Sequence, residues 1–291
     1  LWCYNNPLFN LDVSNNSNLE NLDCRFMDLT NLDVSNNVNL KRLSFWDNQI
    51  ATIDVSNNVD LEYLDCKGNQ LTSLDVSNNL ALEGLGFSGN LLTSLDISNN
   101  SALVSLGCYN NPLTNIDISN NLALESFTFG ANQIASIDVS NNSALTYLAC
   151  YDTSITNLDI SNNVALEILL CNNNQQLTSL DVSNNPALLW IQCFDNQLTS
   201  LNIDGLTSLE RLECYNNQLE SLNLNSNSGL GYLHCSNNAL NALDVSANSN
   251  LYFLDSTMNN LSCIQVNDAQ LANIPTDWTK DTMASYALNC N

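Results

Sequence analysis

The tract Leu/Ile-Asp-Val/Ile-Ser-Asn-Asn begins at Leu11, Leu32, Ile53, Leu74, Leu95, Ile116, Ile137 and Leu158, each 21 residues after the one before. After one extra residue near Gln175 and Gln176 the same slot resumes at Leu180, Leu201, Leu222, Leu243 and, degenerately, Ile264. A second tract alternates with it, as in Leu61-Glu-Tyr-Leu64-Asp-Cys66-Lys-Gly-Asn69-Gln-Leu71, so both halves of the unit read Leu-x-x-Leu-x-apolar-x-x-Asn. A unit this short has no room for a strand, a crossover helix and a returning strand. Nor can it bury an apolar face alone, so stacked copies must supply the core. Alternation such as Tyr147-Leu148-Ala149-Cys150-Tyr151 turns every second side chain inward and predicts one short strand per coil.

Running from Leu1 to about Asn260, the pattern resembles the leucine-rich repeat family, in its short bacterial class with nested 21-residue repeats. The resemblance implies a β-rich solenoid, a right-handed leucine-rich-repeat superhelix with a parallel β-sheet of about 12–13 coils over residues 1–260. Residues 261–291 would follow as a C-terminal capping segment. The Asn that ends each half-motif (Asn48, Asn69, Asn90, Asn111, Asn132, Asn196, Asn217, Asn238) is expected to turn inward, its amide satisfying backbone groups at the bend.

Nine of the eleven cysteines share one inward slot: Cys3, Cys24, Cys66, Cys108, Cys150, Cys171, Cys193, Cys214 and Cys235. Phe45, Phe87 and Phe129 fill that slot in other coils, which marks an apolar core position. A metal or redox ladder is the other reading, although zinc is disfavoured by a single histidine, His234, and no Cys-x-x-Cys. Cys263 and Cys290 lie outside the slot and are predicted to form a disulfide. The tail around them, with Ile274, Trp278, Tyr286 and Leu288, is apolar enough to cover the last coil. It resembles the terminal cap of type IX-secreted surface proteins, which implies a secreted or outer-surface protein with an oxidised pair. No export signal is recognisable, and Leu1-Trp2-Cys3 already lies inside a half-motif, so a fragment with its beginning missing is expected.

Six basic residues against thirty acidic ones, a formal charge of −24, exclude phosphate-backbone binding, which rests on Lys and Arg. Nucleic acid is therefore not a partner, and no apolar run is long enough for membrane insertion. Oligomeric state is not legible.

Coils of one chain can be compared with each other. One outward slot is uniform: Asp12, Asp33, Asp54, Asp75, Asp96, Asp117, Asp138, Asp159 and Asp181. Carboxylates about 5 Å apart repel by about 1 kcal/mol per pair in water. Hydrogen bonds from neighbouring Ser, Thr and Asn with splayed rotamers, bridging Ca2+, or a cationic partner would each relieve this. No other cofactor is expected.

The second outward face varies. Early coils carry Arg25, Arg42, Trp46, Tyr63 and Lys67, middle coils are small, and late coils are aromatic. The candidate ligand-binding residues are Tyr147, Tyr151, Trp190, Phe194, Arg211, Glu213, Tyr215, Tyr232, His234 and Phe253. Aromatics and Arg on a rigid sheet are the usual hot-spot residues. The face suits a protein or polysaccharide ligand, and its rings would alternatively stack on one another with no ligand at all. Glu213, His234 and Asp255 share one column, which would set His234 between two carboxylates. An open sheet offers no pocket that excludes water, so no enzyme is expected. The sequence thus reads as a non-catalytic extracellular or cell-surface binding module for adhesion or recognition. The alternative is a structural spacer or surface-layer element with a cation-bridged Asp ladder.

Overall fold

The computed structural model describes residues 1–290 and divides into two compact units, Leu1–Leu145 and Thr146–Asn291. Unit 1 contains β1 (Asn21–Asp23), β2 (Arg42–Ser44), β3 (Tyr63–Asp65), β4 (Gly84–Gly86), β5 (Ser105–Gly107) and β6 (Ser126–Thr128). They pair in parallel in chain order, with Leu22, Leu43, Leu64, Leu85, Leu106 and Phe127 in one row. Unit 2 contains β7 (Tyr147–Ala149), β8 (Ile168–Leu170), β9 (Trp190–Gln192), β10 (Arg211–Glu213), β11 (Tyr232–His234), β12 (Leu243–Asp244), β13 (Phe253–Asp255), β14 (Cys263–Gln265), a short helix α1 (Asp268–Ala272), β15 (Trp278–Thr279) and β16 (Ser285–Ala287). One parallel sheet of unit 2 runs β7-β8-β9-β10-β11-β13-β15, and β12-β14-β16 form a second. Both units are parallel-strand solenoids with coils of about 21 residues, about 13 turns in all.

Each strand is short because the chain must bend at once to close a coil. The bend falls on one slot in the left-handed region, occupied by Phe26, Asp47, Gly68, Gly89, Asn110 and Ala131 in unit 1, and by Asp152, Asn173, Asp195, Asn216, Asn237 and Met258 in unit 2. Gly, Asn and Asp tolerate that backbone. Phe26 and Met258 do not have that tolerance and hold exposed apolar side chains there.

In most coils the residue after the bend is the inward Asn; Met27 and Thr153 take that place in two of them. Asn90 Oδ1 accepts from the Leu71 N–H of the preceding coil at 3.0 Å, and its Nδ2 donates to the carbonyls of Cys66 (3.0 Å) and Phe87 (2.9 Å). One amide thereby joins two coils. Asn174 and Asn259 hold the same position. A second inward ladder ends the Ser-Asn-Asn tract: Asn79 Nδ2 donates to Val55 O (3.0 Å) and Asn58 O (2.8 Å), and its Oδ1 accepts no hydrogen bond among the described residues.

The cysteine slot lies in the core. Cys24, Cys66 and Cys108 share it with Phe45, Phe87 and Phe129 in unit 1, all with no exposed surface. In unit 2 it holds cysteine in five successive coils, Cys150, Cys171, Cys193, Cys214 and Cys235, and then Ser256. Burial pushes the thiols of Cys24, Cys171 and Cys214 up to about 12.

The tail continues the ladder with different residues. Gln270 in α1 donates to Val245 O (3.0 Å) and Asn248 O (3.1 Å), the pair of bonds an inward Asn makes elsewhere. Both oxygens of the Asp281 carboxylate accept, from the Met258 and Asn259 N–H groups at 3.0 Å each. Cys263 and Cys290 form the expected disulfide, with Cα atoms 5.6 Å apart. Trp278 is buried, whereas Leu288, expected to help cover the last coil, is 49% exposed. No helix among the described residues is long and apolar enough to cross a membrane.

Candidate binding face

In unit 2 the parallel register turns sequence spacing into columns. Ile191, Leu212, Leu233 and Leu254 point into the core, so their neighbours on both sides point out. One column is Trp190, Arg211, Tyr232, Phe253 and the next is Gln192, Glu213, His234, Asp255. Phe194, Tyr215, Ser236 and Thr257 follow the buried slot as a third.

Glu213 organises this face. Its Oε1 accepts from Arg211 Nε (2.8 Å), Gln192 Nε2 (2.8 Å) and Trp190 Nε1 (3.2 Å), and the residue is only 6% exposed. The Arg211 guanidinium, held at one end by Glu213, lies 4.2 Å from the Tyr232 ring centre and 5.0 Å from that of Trp190. Tyr232 stacks on Phe253 at 4.2 Å. Phe194, Tyr215 and His234 form a continuous stack, at 4.4 Å and 4.1 Å. Burial is the main cause that raises the phenols of Tyr215 and Tyr232.

His234 lies between Glu213 and Asp255 in its column, but among the described residues it is within salt-bridge reach of Asp255 alone. Glu213 is committed to its three donors, and Asp255 Oδ2 is the carboxylate oxygen within salt-bridge reach of His234 Nε2, at 3.2 Å. The same nitrogen is 2.9 Å from Ser236 Oγ. A Ser-His-Asp relay needs the acid on the nitrogen opposite the serine, so this trio is not arranged as one. Burial works to raise Asp255, but bonds from Thr257 and Thr279 and the nearby His234 outweigh it, and the carboxylate is held below its ordinary range.

Tyr147 falls in the column of Ile168 and Trp190, and Tyr151 in that of Asn172 and Phe194. The two tyrosines flank the cluster; the rings from Phe194 to Phe253 are its centre. Gln192 and Ser236, whose spacing already puts them on this face, and Tyr252 are participants outside the candidate set. Tyr252, which faces Tyr232 edge-on at 6.3 Å, stands one position before the strand, where six of the earlier coils carry Glu.

Unit 1 carries its own set. Arg25 is paired with Asp23 at 2.6 Å between the rings of Tyr4 (5.2 Å) and Trp46 (5.0 Å), and Arg42 covers Tyr63 at 4.1 Å. A Cβ at Gly84 would lie 2.5 Å from the Tyr63 ring, so a larger residue there would displace that ring.

The uniform Asp rail has an internal answer to its repulsion. Asp75 Oδ1 accepts from the Ser77 backbone N–H at 2.9 Å, and the arrangement repeats at Asp12, Asp33, Asp54, Asp96, Asp117, Asp138 and Asp181. Bonds from the following Ser hold these carboxylates below their usual range, outweighing the neighbouring charges. Among the described residues, no three or more His, Cys, Asp or Glu side chains are grouped to hold a metal ion.

Comparison with known proteins agrees with this architecture. Residues 38–80 match the family model for leucine-rich repeats, two copies. The chain carries leucine-rich repeats. The functional domain of InlJ from Listeria monocytogenes, which includes a cysteine ladder, is 31% identical, with a TM-score of 0.91; the match covers 98% of this chain and 63% of that one. This chain thus spans less than two thirds of that relative. An internalin, inlF, from the same species has 23% identity and a TM-score of 0.72, covering 96% and 90% of the two chains. The plant peptide hormone receptor RGFR1 in complex with RGF2 has 21% identity and a TM-score of 0.77, covering 94% and 48%. The last two share the fold. No curated protein matches.

Proposed function

We propose that the chain is a non-catalytic recognition module whose unit 2 face, from Tyr147 to Phe253, docks a protein partner. The observation that carries this reading is Glu213, a nearly buried carboxylate whose one oxygen holds Trp190, Gln192 and Arg211 in place. Hot spots are rigid aromatic and Arg side chains whose ordering is complete before the partner arrives. Here the half-exposed rings are fixed by each other and by Glu213. The stacking also favours a protein over a glycan, because a sugar packs its C–H face on a free ring face, and Tyr215 lies between Phe194 and His234 and Tyr232 between Phe253 and the Arg211 guanidinium. A plant peptide hormone receptor of this fold, RGFR1, is seen in complex with RGF2. The Cys263–Cys290 disulfide supports a secreted or outer-surface location, with residues 261–291 as the cap of the solenoid.

The test is binding to a panel of purified extracellular and cell-surface proteins immobilised at equal density. The parent is expected to retain at least one of them, and Trp190→Ala with Tyr215→Ala to lose it. Equal retention by the double variant contradicts the reading.

A further inference from the structure

Carboxylates stand along both edges of this face. Glu167 and Glu210 stand one position before β8 and β10, exposed along one edge of the aromatic columns. Asp152 and Asp195 occupy the left-handed slot that follows the columns, along the other edge. The centre carries no free positive charge to balance them. Arg211 is bound to Glu213 and sits between two rings, while the only other Lys or Arg of unit 2, Lys280, donates to Ala284 O at 2.5 Å. Unit 2 holds two basic residues against fourteen acidic ones. A ring-lined centre whose charges are paired with each other, inside a charged rim, fits the anatomy of a protein interface. Complementary rims speed encounter and fix register, and like charges are rejected.

Resting on the docking reading above, we propose that the partner presents a polypeptide segment with Lys or Arg on both flanks of an apolar stripe. The stripe covers the rings between Trp190 and Phe253. The flanking cations meet Glu167 and Glu210 on one side and Asp152 and Asp195 on the other.

The experiment pans a phage-displayed library of random peptides on the full chain, discarding clones that also bind the Trp190→Ala, Tyr215→Ala variant. The best clone is then synthesised as a free peptide. It is expected to carry net positive charge with apolar residues between its basic ones. Its affinity should fall about tenfold in Glu167→Gln, Glu210→Gln, Asp195→Asn, since exposed ion pairs are individually weak and their sum is felt. A rail variant, Asp159→Asn with Asp181→Asn, lowers the overall charge elsewhere and should change affinity less than twofold. Neutral or acidic clones, or a rim variant that binds within twofold of the parent, overturn the proposed partner chemistry while the docking face stands. If every enriched clone also binds the Trp190→Ala, Tyr215→Ala variant, or if no clone is enriched, both readings fall.

Discussion

The Trp190 indole N–H donates to Glu213 Oε1 at 3.2 Å, across the boundary between two adjacent strands and onto a carboxylate already held by Arg211. A ring that would swing freely on a sheet surface is thereby fixed in one orientation. Removing the carboxylate should release Trp190, Gln192 and Arg211 together. Glu213→Ala is expected to lower stability by about 1–3 kcal/mol, the cost of stranding partly buried donors. Glu213→Gln keeps an acceptor and should cost less. Urea denaturation of the two variants beside the parent checks the order.

The inward asparagines predict a sharper contrast. Asn90→Ala removes three short hydrogen bonds and a longer one to Ser88 O at 3.4 Å, and should cost about 2–3 kcal/mol. Asn90→Asp replaces a double donor facing two carbonyls with a buried charge, and should be the worse of the two at neutral pH. Thermal melts at pH 7 rank them, and equal melting temperatures would remove the amide from its coil-joining role.

The repeat period, the strand in each coil, the inward asparagines and the cysteine slot were all legible because each recurs at a fixed spacing, and a recurrent apolar or amide position has a simple physical cause. The Cys263–Cys290 pair was legible as the two cysteines outside that pattern. The environment of His234 was not. Sequence placed Glu213 and Asp255 in its column, but which carboxylate it meets depends on competition for Glu213, decided by Trp190, Gln192 and Arg211 on neighbouring strands. Gln270 and Asp281 escaped notice for a related reason: each takes over a ladder position from a different backbone setting, where the repeat no longer marks it.

Stability should decline at both pH extremes, for different groups. Rail carboxylates such as Asp75 and Asp117 have lowered values through bonds from the backbone and hydroxyl of Ser77 and Ser119. Their contribution is complete above the unfolded aspartate value of about 3.9 and is lost as pH falls through the folded values. The buried thiols are raised, so their folded form holds protons that the unfolded chain releases, and stability falls as pH rises above about 9. Melting temperature against pH should show a plateau between these limits. At pH 8, iodoacetamide should modify the nine free cysteines in urea but, in the native chain, at most the partly exposed Cys3.

Reduction of the Cys263–Cys290 bond, which spans 27 residues, should cost roughly 3–4 kcal/mol on the chain-entropy account. The loss should begin locally. Amide exchange after reduction is expected to rise first in residues 261–290, with the coils around Leu103 still protected. Uniform acceleration throughout the chain would mean that the tail does not unfold before the rest.

The central claim, that the ring-bearing face of unit 2 is where a partner sits, is tested most directly by hydroxyl-radical footprinting with and without the protein captured from the panel. Protection of Trp190, Tyr215, Tyr232 and Phe253, with unchanged oxidation of Phe26 and Met283, is the predicted result. Unaltered oxidation of those four rings in a saturated complex would contradict it.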